Sequence, residues 1–296
     1  MRIVSLVPSA TEMLFALGLG PDLVAVTHEC DYPPRARELP KVTRDVLPSG
    51  LDAAQIDAAV KERTLAGQSI YELDTDALHE LAPELIVTQA LCSVCAVSYD
   101  DVRAIADEIA GRPQVISLDP HTLGEVLGDA RTLAQATDRK DAAVDLIAAA
   151  AARIDRTRLA VRGARRPRVV ALEWLDPPFV ACHWTPQLID YAGGEDVLGF
   201  PGENSEERTW EEIRAAQPDV VIVMPCGYTS YFAHREAEMH RDELASLGAG
   251  KVVAVDASAY FSRPGPRLVE GLELLAHILH PELVPDAPAP ALTVAL

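Results

Sequence analysis

Basic residues are scarce in this 296-residue chain: 26 Lys and Arg stand against 45 Asp and Glu, for a formal net charge of −19. Phosphate contacts need a basic face, so nucleic acid is excluded as a partner, and an anionic membrane surface is disfavoured on the same ground. Long hydrophobic runs are missing too. Nothing approaches the roughly 18 consecutive apolar residues that span a bilayer. The opening run MRIVSLV is too short for a secretory hydrophobic region, and no small-residue cleavage site follows it. It reads as a first strand and the chain as cytoplasmic; a periplasmic or lipid-anchored location is the alternative if a leader precedes it. Cysteine is sparse, five residues and an odd count, which fits a reducing compartment better than a disulfide scaffold. Familiar enzyme signatures are absent as well: there is no Gly-x-Ser-x-Gly elbow, P-loop, Gly-x-Gly-x-x-Gly or His-Glu-x-x-His.

What is present is an α/β pattern able to bury a core, with 49% hydrophobic and 24% charged residues. Short β-branched runs, each followed by a helical pattern, fall at Ile3 to Val7, Leu23 to Thr27, Leu85 to Thr88 and Val115 to Leu118. A second series lies at Arg168 to Leu172, Phe179 to Ala181, Val220 to Met224 and Lys251 to Val255. Alternation of this kind predicts parallel sheets covered by helices on both faces. The halves echo each other, with Leu81-Ala-Pro-Glu-Leu-Ile-Val87 matching Ala216-Gln-Pro-Asp-Val-Val-Ile222 and Val115 to Pro120 matching Val252 to Ala257. Between them, Thr137 and Asp138 are candidate caps, and Val144, Ile147, Ala151, Ile154 and Arg158 recur at helical spacing. A helix over Arg139 to Arg162 would be a stiff strut with modest motion. The expected division is an N-terminal α/β lobe at 1–138, a connecting helix at 139–166, a C-terminal α/β lobe at 167–284 and a disordered Pro/Ala-rich tail at 285–296: two Rossmann-like lobes joined by one long rigid helix.

Ligands of open parallel sheets bind beyond the carboxyl ends of the strands. Unusual residues collect at those positions. Ser9 and Glu12 match a capping box after the first strand, and the loops beyond carry His28-Glu29-Cys30-Asp31-Tyr32 and Cys92-Ser-Val-Cys95. In the second half they carry Glu173-Trp174, Cys182-His183-Trp184, Cys226-Gly227-Tyr228 and Tyr260 to Gly265. Aromatic residues are only 5% of the chain, yet two of its three tryptophans lie in these loops. Rings so placed suit a pocket for a flat or bulky organic ligand; the plainer reading is that they cover the core.

The Pro8-Ser-Ala-Thr-Glu12 opening, the Leu172-Glu-Trp-Leu-Asp-Pro-Pro-Phe179 segment leading to His183-Trp184, and Arg263-Pro-Gly-Pro-Arg-Leu268 resemble cobalamin-binding proteins of the helical-backbone (class III) substrate-binding superfamily. These are related to the periplasmic components of cobalamin and ferric-siderophore ABC importers, and the resemblance covers residues 1–283. It implies non-catalytic binding of cobalamin or a similar corrinoid in a crevice between lobes, no required cofactor, and an ABC permease as a possible partner. It carries a ligand-contact role to Tyr32, Trp174, His183, Trp184, Tyr228, Tyr260 and Arg263. The strand-end positions add His28, Cys92 and Cys95 as candidate ligand contacts.

Several alternatives stay open. A ferric siderophore or haem is a competing ligand. An enzyme would draw its acid and base groups from Glu29, Asp31, His28 and Glu173. Cys92 and Cys95 have redox spacing, but Ser98 with Asp101 reads as the following cap and leaves both thiols in the loop. A structural zinc needs four ligands, so Cys30, His28, Cys182 and His183 complete that pair only if their loops meet. His28 or His183 is also a candidate axial ligand to the cobalt of a bound corrin. His79, His277 and His280 read as surface or capping residues, and His234 and His240 as part of a mobile flap.

Overall fold

The computed structural model describes residues 1–48, 50–66, 68–89 and 99–296. The opening apolar run forms a fully buried strand, β1 (Ile3–Ser5), and is followed by α1 (Pro8–Ala16) and β2 (Leu23–Val26). Then come β3 (Thr43–Asp45), α2 (Ala53–Leu65), β4 (Tyr71–Leu73), α3 (Thr75–Leu81), β5 (Leu85–Gln89), α4 (Tyr99–Glu108) and β6 (Gln114–Leu118). The main sheet is parallel in the order β2-β1-β5-β6, with β3 and β4 forming a separate antiparallel pair. Val4, Leu6, Ile86, Val102 and Ile109 are among the side chains of its core.

Two helices follow, α5 (Leu123–Thr137) and α6 (Lys140–Ala160). The remainder comprises β7 (Arg168–Leu175), β8 (Pro178–Val180), α7 (Thr185–Tyr191), β9 (Glu195–Asp196), β10 (Glu206–Glu207), α8 (Trp210–Ala215) and β11 (Val220–Val223). It ends with α9 (Ser230–Met239), α10 (Arg241–Ser246), β12 (Lys251–Val255), α11 (Ala257–Tyr260), α12 (Leu268–Leu279) and β13 (Ala291–Thr293). Here β9, β7, β11 and β12 are parallel neighbours, and β8, β10 and β13 add antiparallel strands. The chain groups into two compact units, 1–120 with 126–147 and 121–125 with 148–296, so the division falls inside α6.

The echo between the halves has a structural basis. In each, the acidic residue ahead of the second parallel strand exchanges hydrogen bonds with the residue that opens the first. Arg2 N–H donates to Glu84 Oε2 at 2.7 Å while Glu84 N–H donates to Arg2 O at 2.8 Å. Arg168 N–H and Asp219 do the same at 2.9 and 2.8 Å. The helix before each strand is stopped by a residue in the left-handed region, Ala82 at φ 42° and Gln217 at φ 48°, one position ahead of a proline.

Several expectations are corrected. Ser9 does not cap α1: Pro8, which has no N–H to lose, takes the first turn, Val7 is the N-cap, and Ser9 is buried within the helix. The connecting helix runs Lys140–Ala160, 21 residues or about 31 Å. Thr137 does not cap it but closes α5, its hydroxyl donating back to Leu133 O at 2.7 Å. The tail is ordered, because β13 pairs with β12 and Val294 enters the core beside Val252 and Ala254. His234 and His240 lie on packed helical segments, with His234 Nε2 donating to Thr293 O at 3.3 Å and His240 stacked on Trp210 at 6.4 Å. His280 is a further departure, a buried residue whose Nε2 donates to Gly193 O at 3.2 Å. His79 is exposed on the last turn of α3.

Candidate ligand-binding site

In the first unit the loop after β2 is tied down by Lys41, whose ammonium donates to Cys30 O at 3.0 Å and Ala36 O at 2.9 Å. Cys30 points inward. Its Sγ lies 3.0 Å from Thr11 Oγ1 and 3.1 Å from Thr27 Oγ1, and burial pushes its thiol up from the ordinary value. This thiol is therefore a packing residue, inert beside an exposed thiolate. His28 is half-buried, its Nδ1 2.8 Å from Thr43 Oγ1 and its ring 5.4 Å from that of Tyr71. Tyr32 stands out from the same loop, 45% exposed. Cys92, Cys95 and the expected Ser98 cap lie outside the described residues.

The second unit carries the larger assembly. Trp174, near the end of β7, meets Tyr228 edge to face at 5.7 Å. Tyr228, in the loop after β11, meets Phe232 at 6.5 Å, and Phe232 meets Tyr231 at 5.4 Å. Tyr231 and Phe232 are 60% and 54% exposed. Four rings from two strand ends and the first turn of α9 thus form one ledge. The sequence reading missed Tyr231 and Phe232, which lie next to a charged stretch; their adjacency to Tyr228 was the available signal. Cys226 N–H donates to Glu173 O at 3.0 Å, joining the loop after β11 to strand β7.

Trp184 departs from its expected role. Its ring is 5% exposed, and its indole N–H donates to Phe261 O at 2.8 Å, so the polar edge that would meet a ligand is already engaged. The bond anchors the C-cap of α11, between Tyr260 at the end of that helix and Arg263 in the loop that follows. Arg267, at the start of α12, lies 5.8 Å over the Tyr260 ring. Next to Trp184, His183 takes a left-handed conformation at φ 51° and is held on both backbone sides. Its N–H donates to Glu203 O at 2.9 Å, and its carbonyl accepts from Gly202 N–H at 3.0 Å. The His121 ring stacks on it at 5.7 Å.

Asp196 is half-buried, with Oδ1 accepting Gly199 N–H at 2.7 Å and Leu198 N–H at 3.1 Å. Burial pushes its carboxyl up to about 6. Cys182 is pushed up too, mainly by burial, with the negative charges of Asp196, Glu173 and Glu206 adding to it. Among the described residues no group of three or more His, Cys, Asp or Glu is arranged to hold a metal ion, and no helix is long and apolar enough to cross a membrane.

Two α/β lobes with parallel sheets, and aromatic residues gathered at strand ends, define a ligand-binding protein of the two-lobed kind. The chain belongs to the family described as periplasmic binding protein, whose profile matches residues 3–252. A vitamin B12-binding protein of Vibrio cholerae is 25% identical over 295 residues, covering 92% of this chain and 86% of that protein. Among solved structures, a periplasmic vitamin B12 binding protein of Vibrio cholerae aligns with a TM-score of 0.68 at 22% identity, covering 94% and 96% of the two chains. A periplasmic heme binding protein from Pseudomonas aeruginosa aligns with a TM-score of 0.71 at 17% identity, covering 99% and 95%. The expected cytoplasmic location is overturned by this membership: the family and these relatives are periplasmic binding proteins.

Proposed function

We propose that the chain is a non-catalytic carrier for cobalamin or a closely similar corrinoid, which it delivers to an ABC permease. The observation that carries this reading is the Trp174–Tyr228–Phe232–Tyr231 ledge, a continuous aromatic surface at the carboxyl ends of parallel strands. Tyr231 and Phe232 are its exposed rings, with Trp174 and Tyr228 half-buried behind them, and exposed rings are solvated at a cost that a large flat ligand removes on binding. Charge separates the candidate ligands. Haem presents two propionates, which a protein of net charge −19 repels at long range, whereas a corrin periphery is clad in neutral amides. The 25% identity to a vitamin B12-binding protein supports the same choice.

Trp174, Tyr228, Tyr260 and Arg263 are the proposed contacts in the second unit, with His183 as the candidate axial group. Tyr32 and His28 are the proposed contacts in the first, together with Cys92 and Cys95, which lie outside the described residues. Trp184 supports the loops instead. The test is incubation with cyanocobalamin, hemin or a ferric siderophore, followed by desalting and an absorption spectrum. The reading expects red protein with one equivalent of cobalamin and unchanged ligand on release. Retained haem with no cobalamin would overturn it.

A further inference from the structure

Phe232, Glu236 and His240 recur at i, i+4 spacing, so one stripe of α9 runs from the aromatic ledge to the C-cap of the helix. At the ledge end, Phe232 meets Tyr228. Further along, Glu236 is buried at 5% exposure, a rare position for a carboxylate without a partner. His240 Nε2 lies 3.4 Å from Glu236 Oε1, and the Trp210 ring stacks on the imidazole. His240 is also the joint of two helices. Its N–H donates to Glu236 O at 3.2 Å, closing α9, and its carbonyl accepts Leu244 N–H at 3.0 Å, opening α10.

The charged groups that act on this imidazole are all acidic. Glu236 belongs to α9, Glu243 to α10 and Asp176 to the turn between β7 and β8, while α8 contributes the uncharged Trp210 ring. The hydrogen bond to Glu236, and then the three negative charges, push His240 up from its ordinary value against the effect of burial. Asp176 is a second line to the ledge, since its carbonyl accepts the Trp174 indole N–H at 3.2 Å.

Facing an imidazolium, the buried Glu236 carboxylate is paired. Facing a neutral imidazole, it is a buried charge whose partner has been removed, which is strongly unfavourable. Loss of the His240 proton is relieved by letting water reach Glu236, and that loosens the last turn of α9 and its joint with α10. The folded protein favours the proton, so the fastening is complete below the ordinary histidine range and is lost as pH rises through the higher folded-state value.

We propose that His240 and Glu236 form a proton-operated latch on α9, which fixes the Phe232 and Tyr231 end of the ledge under mildly acidic conditions and frees it as the medium turns alkaline. Its effect on ligand rests on the corrinoid reading above; the latch itself does not.

Two measurements test it between about pH 6 and pH 9 on wild type, His240→Gln and Glu236→Gln: hydrogen-exchange protection factors of the free protein, and equilibrium titration with cyanocobalamin. In wild type, protection of the α9 amides should fall as pH rises, and cyanocobalamin affinity should fall with it by about fivefold or more. Each variant lacks the switchable pair and should give flat profiles in both measurements, so either suffices if the other does not fold. Wild-type protection that is constant across the range, or a slope that the variants retain, overturns the latch. Falling protection with constant affinity overturns its link to the ledge and leaves the corrinoid reading intact. A wild-type protein that binds no cyanocobalamin at any pH overturns the corrinoid reading, and the exchange profiles alone then decide the latch.

Discussion

Trp184 and Phe261, 77 residues apart in the chain, are joined by a 2.8 Å hydrogen bond from indole N–H to backbone carbonyl, both residues being buried. The tryptophan that the sequence offers as a ligand anchor is therefore a brace for the C-cap of α11, between Tyr260 and Arg263. Trp184→Ala should lower stability by about 3–5 kcal/mol, the range for removing a large buried aromatic residue. Trp184→Phe should lose about 1–3 kcal/mol through the carbonyl left unpaired. Urea denaturation checks both; a Trp184→Ala protein as stable as wild type would return the residue to the ligand surface.

Asp196 supplies a pH dependence. Its folded-state value of about 6 lies above the ordinary 3.8, so the folded protein holds a proton that the unfolded chain releases between about pH 4 and pH 6. Stability from this group is therefore full below the ordinary value and is lost as pH rises toward 6, by at most about 3 kcal/mol. Asp196→Asn can keep the acceptor for Leu198 and Gly199 without the charge. Melting curves from pH 4 to 8 should show the variant gaining on wild type as pH rises; parallel profiles would contradict this assignment.

The C-terminal strand covers an edge. Val253, Ala254 and Val255 pair with Thr293, Leu292 and Ala291, and Val294 N–H donates to Val252 O at 2.9 Å. A chain ended after Asp286 should melt at lower temperature and, with β12 uncovered, associate as concentration rises. Light scattering with calorimetry measures both effects. A truncated protein that stays monomeric and melts like wild type would show that the strand is dispensable.

Most of the sheet architecture was legible in the sequence because buried parallel strands are short continuous β-branched runs. Lys251 to Val255 was placed at its observed ends, and the other seven runs fell on strands within a few residues. What could not be read depends on partners remote in sequence. Residues Ala291 to Thr293 have no strand pattern of their own and acquire one from the free edge of β12. The helix α5 is no part of the sequence expectation, although Val126, Ala130 and Leu133 recur at helical spacing and are buried. Ser9 fits a capping box in isolation, but Pro8 moves the helix start ahead of it. The loops that hold Trp174, Tyr228 and His183 were found because strand ends are predictable. Which rings face outward was not, since Trp184 and Trp174 differ only in what the tertiary fold brings against them.

The central claim is that the Trp174 ledge holds a corrinoid. Calorimetric titration of cyanocobalamin into wild-type protein and Trp174→Ala tests it directly. The account predicts one-to-one binding to wild type and a loss of about 1–3 kcal/mol in the variant, with no change in melting temperature. No heat of binding with the wild type, or equal affinity in the two proteins, would contradict it.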